Sequence, residues 1–451
     1  MSAPLVLLVS MVFVIALIVW LRVHAFLALL IGGLLVGFLS PAIPFDTVAS
    51  SLAGHLGRVA GNIAIVIALA SIIGECLLES GGAERISRQF LRLAGERRGH
   101  VSLWGTGYVL AVPVFFDTVF YLLVPLARAM GARTGRFYAL YVTSICVGGA
   151  ATHVFVPPTP GPLAVGSALQ VDLGLLIVVG LLCALPASIV GLTYAVWRER
   201  RSPSELRTGI GPSSEALHEM TERPDSALPG FVASMTPIAL PVVLIASRTA
   251  AEAWAADSAL VPLTRTLGDP NIALLLSTIF ALGLVARRGG LTLDGLRARA
   301  DHALLSAGVI VLITAAGGAY GGMLSQAQIG PSLQAISTSW GLPVLWLAFL
   351  LASILKIAQG SSTVAMITAA SVLQPLYATG ADLPHPVYAV IAIGGGSLVV
   401  SWMNDSGFWV VGRMGGFTER ETLRVWTIPA ALVGTTGFLI ALLLNALLPL
   451  K

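Results

Sequence analysis

The chain has 451 residues, of which 56% are hydrophobic and only 11% are charged, with a formal net charge of +4. A soluble domain carries about 25% charged residues, so this composition excludes a soluble enzyme and indicates a polytopic membrane protein. The basic balance could suggest a nucleic-acid partner, but the arginines stand in short segments between apolar stretches. That is the positive-inside pattern of membrane proteins, so we predict no nucleic-acid partner.

Apolar stretches long enough to span a bilayer, about 20 residues each, follow one another along the chain. The N-terminal unit 1–24 has no basic segment before its apolar stretch and no small-residue cleavage site, which predicts a retained transmembrane helix. Arg22 and His24 follow this helix, so it should run from outside to inside, and both termini should lie outside. We predict about ten transmembrane helices, near residues 4–21, 25–40, 61–78, 137–168, 172–196, 230–247, 271–286, 305–324, 386–412 and 424–447.

Two further apolar segments, 101–130 and 344–378, do not fit single crossings. Arginines flank the first segment on both sides, which places both of its ends in the cytoplasm and predicts a re-entrant hairpin. Its tip is Pro113–Thr118, where proline breaks the helix. The second hairpin has its tip at Gln359–Thr363, and the uncharged stretch before it predicts entry from outside.

The predicted fold is therefore all-α, with the transmembrane helices and hairpins arranged in two inverted repeats, 25–197 and 271–451. The hairpin tips at Asp117 and Thr363 are 246 residues apart. An odd number of crossings separates corresponding helices, so the second repeat is predicted to be inverted, as in many secondary transporters. Residues 198–229 are predicted to form a cytoplasmic linker, and 230–270 a connecting transmembrane helix with an outer loop.

Two of the predicted helices, 137–168 and 386–412, contain a break in the middle. Pro157–Pro162 holds four prolines and one glycine in six positions, which no continuous helix tolerates. In the second helix, Gly394–Gly396 weaken the helix, and a polar stretch follows at Ser401–Ser406. Such a stretch is stable at membrane depth only where it is buried in protein or lines a wet cavity. The alternative is an interfacial loop between two short helices.

The two hairpin tips and the two broken helices are predicted to converge on one site. A helix that begins at a tip presents unpaired N–H groups and the positive end of its dipole, which suits a carboxylate, while hydroxyl and amide groups suit a polyol tail. The alternative is that these side chains only cap their own helices, and that His153 is a hydrogen-bonding spacer. The predicted substrate-binding residues are Thr118, Thr152, His153, Gly360, Ser361, Ser362, Thr363, Asn404 and Ser406.

Asp117 and Asp405 are predicted to carry the coupling proton or cation, because an ionisable residue at membrane depth is a functional hypothesis by default. Lys356 is the candidate charge partner. It either neutralises one of the two aspartates or contacts the substrate carboxylate.

The segment Ala151–Pro162 reads Ala-Thr-His-Val-Phe-Val-Pro-Pro-Thr-Pro-Gly-Pro and resembles the signature of the gluconate permease (GntP) family of the ion-transporter superfamily. Gly360–Ala370, Asn404–Trp409 and Glu79–Ile86 resemble the same family. The resemblance implies a symporter of protons with gluconate or a related sugar acid. It also implies a homodimer in the lipid of a bacterial inner membrane. Thr159 stands where many relatives have histidine, and the first tip has Asp117-Thr118 where several gluconate carriers have a glutamate. The family includes carriers of other sugar acids and of small amino acids, so a sodium-coupled carboxylate or small amino-acid transporter is the alternative.

Other classes of function fit the sequence less well. An anion channel would need a continuous aqueous path, whereas paired re-entrant tips suggest alternating gates. An integral-membrane enzyme would need a nucleophile with its base or a metal-ligand pattern, and neither is evident. A nucleotide-binding loop is also missing, so we predict no cofactor, no metal site and no ATP-driven transport.

Overall fold

The computed structural model describes residues 2–95, 98–202, 224–254, 258, 260–287, 293–339, 342–379 and 383–450. Within these residues all regular secondary structure is helical, which confirms the predicted all-α fold. In chain order the longer helices are α1 Ala3–Val19, α2 Ala25–Leu39, α3 Val48–Glu79, α4 Gly82–Ala94, α5 Gly99–Leu110, α6 Phe116–Thr134, α7 Tyr138–Phe155, α8 Pro160–Ala168, α9 Leu173–Arg201, α10 Phe231–Trp254, α11 Val261–Leu267, α12 Pro270–Ala286, α13 Leu293–Gln326, α14 Ile329–Ser339, α15 Val344–Gln359, α16 Ser362–Tyr377, α17 Pro386–Gly396, α18 Ser406–Gly415, α19 Glu419–Thr422 and α20 Ile428–Leu447.

Six helical segments in the described part of the chain are long and apolar enough to cross a membrane, or seven if the bent pair α11 and α12 is one span. Other predicted spans occur as shorter apolar helices, among them α2 and α17, because turns and polar stretches cut them short. These lengths support an integral membrane protein. The number of crossings, their direction and the re-entrant course of the hairpins stay predictions.

All four predicted helix breaks are present. The first hairpin is divided at Ala111–Phe115, around Pro113, and the second at Gly360–Ser361, where Gly360 has a φ of +89° that favours glycine. The first broken helix is interrupted between α7 and α8 at Val156–Thr159, and the second between α17 and α18 at Ser397–Asp405. The chain is therefore non-helical at four positions that lie inside apolar sequence.

The order of the helices repeats along the chain. α3 ends at Glu79 and α13 ends at Gln326, 247 residues later. After each of them come a short helix, a helical hairpin and a broken helix, in the same order. α3 and α13 pack against each other, α5 packs on α7, and α15 packs on α17. The inversion of one repeat relative to the other stays a prediction.

The glycine triplet Gly394–Gly396 forms the last turn of α17, directly before the predicted break. A side chain at Gly394 would meet the backbone oxygen of Val154 in α7, at 2.5 Å. Gly395 lies similarly close to the Gly434 oxygen, also at 2.5 Å. The triplet therefore lets α17 approach its neighbours closely, as small residues do between membrane helices. α17 ends at Gly396, and Ser397 is its C-cap.

The linker predicted at 198–229 is described only at its ends. α9 continues to Arg201, and the chain is described again from Pro224, just before α10. Residues 203–223 lie outside the described residues. In the most apolar 18-residue stretch of Tyr138–Ala168, 94% is buried inside the protein, whereas in the corresponding stretch of Phe231–Ala253 only 28% is buried. The first broken helix is thus surrounded by protein, and α10 lies at the periphery.

Candidate functional site

A cavity of about 260 Å³ lies where the hairpin tips and the second broken helix meet. It is smaller than the roughly 300–1,000 Å³ of a drug-sized ligand site, so it suits a small molecule. Its polar wall comes from the starts of α6, α16 and α18, and its apolar wall includes two isoleucines of α13. The lining residues are Phe115, Phe116, Asp117, Ala150, His153, Ile310, Ile313, Ser361, Ser362, Thr363, Val364, Leu398, Asp405, Ser406, Gly407 and Trp426.

Three helices begin at this cavity. Phe115 is the N-cap of α6, and its side chain makes no capping hydrogen bond. Ser361 caps α16 and accepts a hydrogen bond from the Val364 amide at 3.4 Å. Asp405 caps α18 and accepts from the Gly407 amide at 3.1 Å. The remaining first-turn N–H groups and the positive ends of three helix dipoles favour an anion in this cavity. The start of α8 instead borders a separate cavity of about 10 Å³, near Thr159.

Asp405 is held by a buried network. Its Oδ2 atom lies 3.1 Å from the Lys356 ammonium, and both side chains are almost fully buried. The same oxygen accepts hydrogen bonds from the Ser401 hydroxyl and from Trp426 Nε1, the latter at 3.3 Å. Lys356 also donates to the carbonyl oxygen of Gly360. This network ties the tip of the second hairpin to the start of α18, and it neutralises the Asp405 charge inside the protein.

Asp117 has a different environment in the same cavity. It is half-buried in the first turn of α6, and no described residue donates a hydrogen bond to it or forms an ion pair with it. The charges of Asp405 and Lys356 both act on it across the cavity. Because Lys356 is paired with Asp405, Asp117 is the carboxylate in this cavity whose charge is not balanced by a direct contact.

The hydroxyl groups of the cavity divide into two sets. Ser361 caps its helix, and Ser362 donates to the Ser397 oxygen at 2.8 Å, so both have protein partners. Thr363 and Ser406 line the cavity, and no described residue forms a hydrogen bond with either side chain. Thr363 and Ser406 are therefore the hydroxyls left to bind a ligand.

Four of the predicted substrate-binding residues do not line the cavity. The Thr152 hydroxyl is fully buried and bonds back to the Gly149 oxygen of its own helix, at 3.3 Å. The Asn404 amide donates to the Ile357 oxygen at 2.7 Å, which holds the hairpin tip. Gly360 forms the turn at that tip, and Thr118 is not among the residues that line the cavity. For Thr152 and Asn404 the geometry favours the alternative of bonding within the protein.

His153 does line the cavity, and among the described residues none forms a hydrogen bond with its buried Nδ1 atom. The structure therefore gives no support for a spacer that hydrogen-bonds to the protein through Nδ1.

Trp426 and Phe116 are cavity residues that the sequence did not predict. Their rings are 4.8 Å apart, and Trp426 belongs to the π-helical turn Leu423–Thr427. π-helical turns often mark functional sites because they reorient one side chain. In the sequence this tryptophan follows Arg424 at the start of an apolar stretch, a pattern typical of a membrane-interface anchor. Among the residues that the structure describes, no cluster of three His, Cys, Asp or Glu side chains is placed to hold a metal ion.

Together the fold and the cavity define a class of protein: an all-helical membrane permease whose helix breaks surround a small polar site. The sequence profile described as GntP family permease matches residues 3–447, and the chain belongs to this family. A similar protein is the low-affinity gluconate transporter of Escherichia coli K12, 33% identical over 95% of this chain and 94% of that protein. Another is a gluconate permease of Pseudomonas aeruginosa, which is 31% identical over 98% of this chain and 97% of that protein.

Among solved structures, the crystal structure of the Alcanivorax borkumensis YdaH transporter is similar to this chain. The TM-score is 0.64 with 15% sequence identity, over 97% of this chain and 99% of that one. At this identity the similarity establishes the fold alone.

Proposed function

We propose that this chain imports gluconate or a closely related sugar acid, and that each import is coupled to the entry of a proton. The names of the similar proteins support gluconate as the substrate class. The convergence of three helix starts supports a carboxylate as the group that enters the cavity. Thr363, Ser406 and His153 are then placed to bind the hydroxyl groups of the substrate.

The observation that carries the coupling is the unbalanced charge of Asp117. Asp405 and Lys356 form a neutral pair, so the empty cavity holds one net negative charge when Asp117 is ionised. A substrate carboxylate would add a second. Two unit charges about 5 Å apart repel by about 3 kcal/mol at an effective dielectric constant of about 20. A proton on Asp117 removes this repulsion.

Binding of the proton and of the acid therefore favour each other, and linkage requires that the effect be reciprocal. A repulsion of about 3 kcal/mol corresponds to roughly a hundredfold in affinity. Asp117 would then be the proton carrier, and Asp405 would organise the site. A sodium ion beside Asp117 would balance the charge equally well, so the coupling ion has to be tested directly.

Asp117 also supports a second candidate, a transporter of small amino acids. The ammonium group of an amino acid could pair with the Asp117 carboxylate while its carboxylate binds at the helix starts. No proton would then be needed to balance the charge. A panel of substrates separates this candidate from the first.

The test is uptake by the purified protein in liposomes. The panel should contain gluconate, other six-carbon sugar acids, glycerate and serine, each with an imposed pH gradient or sodium gradient. We expect saturable accumulation of gluconate or another sugar acid that requires an acidic outside. Accumulation driven only by sodium would assign the coupling to sodium, and uptake of serine alone would support the second candidate. Flux without saturation would indicate a channel, and a chemically altered substrate would indicate an enzyme.

We further propose that the protein lies in the inner membrane as a homodimer, in contact with membrane lipid, with both termini outside. The apolar helices and the inner-membrane setting implied by the family support the location. Impermeant labelling of cysteines introduced at the two ends tests the orientation. Light scattering of the purified protein tests the dimer, and a monomeric mass would contradict it.

A further inference from the structure

The helices α13 and α16 pack closely along a seam that begins at the cavity. Ser371 of α16 donates to the Gly317 oxygen of α13 at 2.6 Å. A side chain at Gly321 would meet Gln374 Oε1, at 2.6 Å. At one end Ile313 of α13 and Val364 of α16 both line the cavity. The seam therefore leads from the cavity toward the last turns of both helices.

Several polar atoms at this seam are buried without a hydrogen-bond partner in the part of the chain that the structure describes. Thr314 Oγ1, Ser325 Oγ and Gln374 Oε1 are all in this state. Thr314 lies three residues before Gly317, and Ser325 lies four residues after Gly321. This helical spacing places both on the same face of α13 as the two glycine contacts. Buried polar atoms nearly always have partners, and an unpaired one is costly, most of all at membrane depth.

In the first repeat, α3 and α6 correspond to α13 and α16, but they are not a closely packed pair among the described helices, so this half has no equivalent seam. Residues 247 positions before Thr314 and Ser325 are Ile67 and Leu78, and the residue 246 before Ser371 is Pro125. Gln374 corresponds to Arg128, which is polar but donates to the Met414 oxygen at 2.6 Å. The polar, partly unpaired seam is thus particular to the second half of the chain.

The length of the seam fits a path across one leaflet. From Thr314 to Ser325 the helix rises about 16 Å, at roughly 1.5 Å per residue. That is about half of a hydrocarbon core roughly 30 Å thick. In the predicted topology this end of α13 faces outside, because the uncharged segment after it is an outer loop.

We propose that α13 and α16 separate along this seam, and that the opened seam is the route by which the substrate passes between the outside and the cavity. This inference rests on the proposed function. In the open state, water and the substrate hydroxyl groups supply the partners that Thr314, Ser325 and Gln374 lack in the closed state. The small residues Gly317 and Gly321 allow the helices to close tightly again.

A disulfide across the seam tests this directly. A Cβ atom built at Gly317 lies 3.5 Å from the Ile367 Cβ atom, which is within the spacing for a disulfide. The matched control joins the next residue of α13 to α3, since a Cβ atom at Gly318 lies 3.1 Å from the Val59 Cβ atom. Both pairs, Gly317→Cys with Ile367→Cys and Gly318→Cys with Val59→Cys, are made in a parent in which the three native cysteines are replaced.

We expect oxidation of the α13–α16 pair to lower gluconate uptake at least tenfold and reductant to restore it, while oxidation of the α13–α3 pair has little effect. Uptake that persists with the α13–α16 disulfide formed would overturn the proposed route. If the cysteine-free parent does not take up any sugar acid under any gradient, the proposed function fails instead. The two failures are thus distinguishable, and the reduced state of each variant reports whether it folds.

A second measurement uses Thr314→Val, which removes an unpaired hydroxyl without changing the shape of the side chain. A purely structural seam should gain stability and keep its uptake rate. The proposed route predicts an unchanged or higher midpoint of thermal unfolding together with at least a fivefold lower uptake rate, because the open state loses a hydrated group. An unchanged rate in this variant and in Gln374→Leu would contradict the proposal.

Discussion

The buried pair of Lys356 and Asp405 predicts a large and specific loss of stability when one partner is removed. Lys356 has no exposed surface, and its ammonium has two acceptors, Asp405 and the Gly360 oxygen. Asp405→Asn leaves this ammonium buried beside a neutral amide. Removing one partner of a buried pair typically costs about 3–5 kcal/mol. We expect a loss of that size in the free energy of unfolding.

Lys356→Met should cost less, because Asp405 keeps the hydrogen bonds from Ser401, Trp426 and the Gly407 amide. One lost bond to a charged group costs about 1.5–3 kcal/mol. The double variant removes both charges, and a buried pair replaced as a unit is often close to neutral. The two changes should therefore be strongly non-additive, with a coupling energy of at least about 1.5 kcal/mol.

The measurement is a double-mutant cycle of unfolding in detergent, with thermal midpoints as a second readout. Asp117→Asn is the matched control, because no residue that the structure describes forms an ion pair or a hydrogen bond with this aspartate of the same cavity. Its free energy of unfolding should stay within about 0.5 kcal/mol of the parent, as for a substitution that breaks no interaction. Equal losses for Asp405→Asn and Asp117→Asn, or additive losses in the cycle, would refute the assignment of Asp405 as the organising acid.

Three further predictions follow from the same cavity and from the topology. Asp117→Asn should keep substrate counterflow but lose accumulation driven by a pH gradient, and full accumulation would remove Asp117 as the carrier. Thr363→Val should lower substrate affinity about two- to tenfold, since a hydrogen bond to a neutral hydroxyl contributes about 0.5–1.5 kcal/mol; Asn404→Ala should leave the affinity nearly unchanged, and binding assays on both variants test this difference. Cysteines at Leu93 and Ala132 should both react with impermeant reagent only from the cytoplasm, and labelling from opposite sides would exclude the first re-entrant hairpin.

The positions of the helix breaks were predictable because they depend on local chemistry. Proline removes a backbone donor and clashes with the preceding turn, so the adjacent pair Pro157 and Pro158 interrupts the helix, although single prolines such as Pro125 and Pro186 lie inside helices. Gly360 adopts a backbone conformation that other residues rarely tolerate, and Ser361 supplies a cap. These effects extend over a few residues, so a single sequence is enough to locate them.

The direction of each polar side chain was not predictable, because it depends on neighbours that are distant in sequence. Thr152 and Thr363 both follow a run of small residues, yet one bonds back to its own helix and the other lines the cavity. The contribution of Trp426 depends on a π-helical turn, which gives no periodic signal. The packing role of Gly394–Gly396 was also not predicted, because it depends on neighbouring helices and not on the helix propensity of glycine.

The different environments of the two aspartates follow from their positions on repeated elements. Asp405 is the N-cap of α18, where its side chain turns back to the Gly407 amide and to the buried lysine. Asp117 is the second residue of α6, where a side chain projects away from the helix axis instead of capping it. In the other repeat the corresponding positions, 246 residues away, are Thr159 and Thr363. The first repeat thus has an aspartate at the hairpin tip and a threonine after the break of its broken helix. The second repeat has the threonine at the tip and the aspartate after the break. The cavity consequently has one acid that is fixed by its partners and one, the proposed proton carrier, that has no direct partner among the described residues, a division that two identical repeats could not provide.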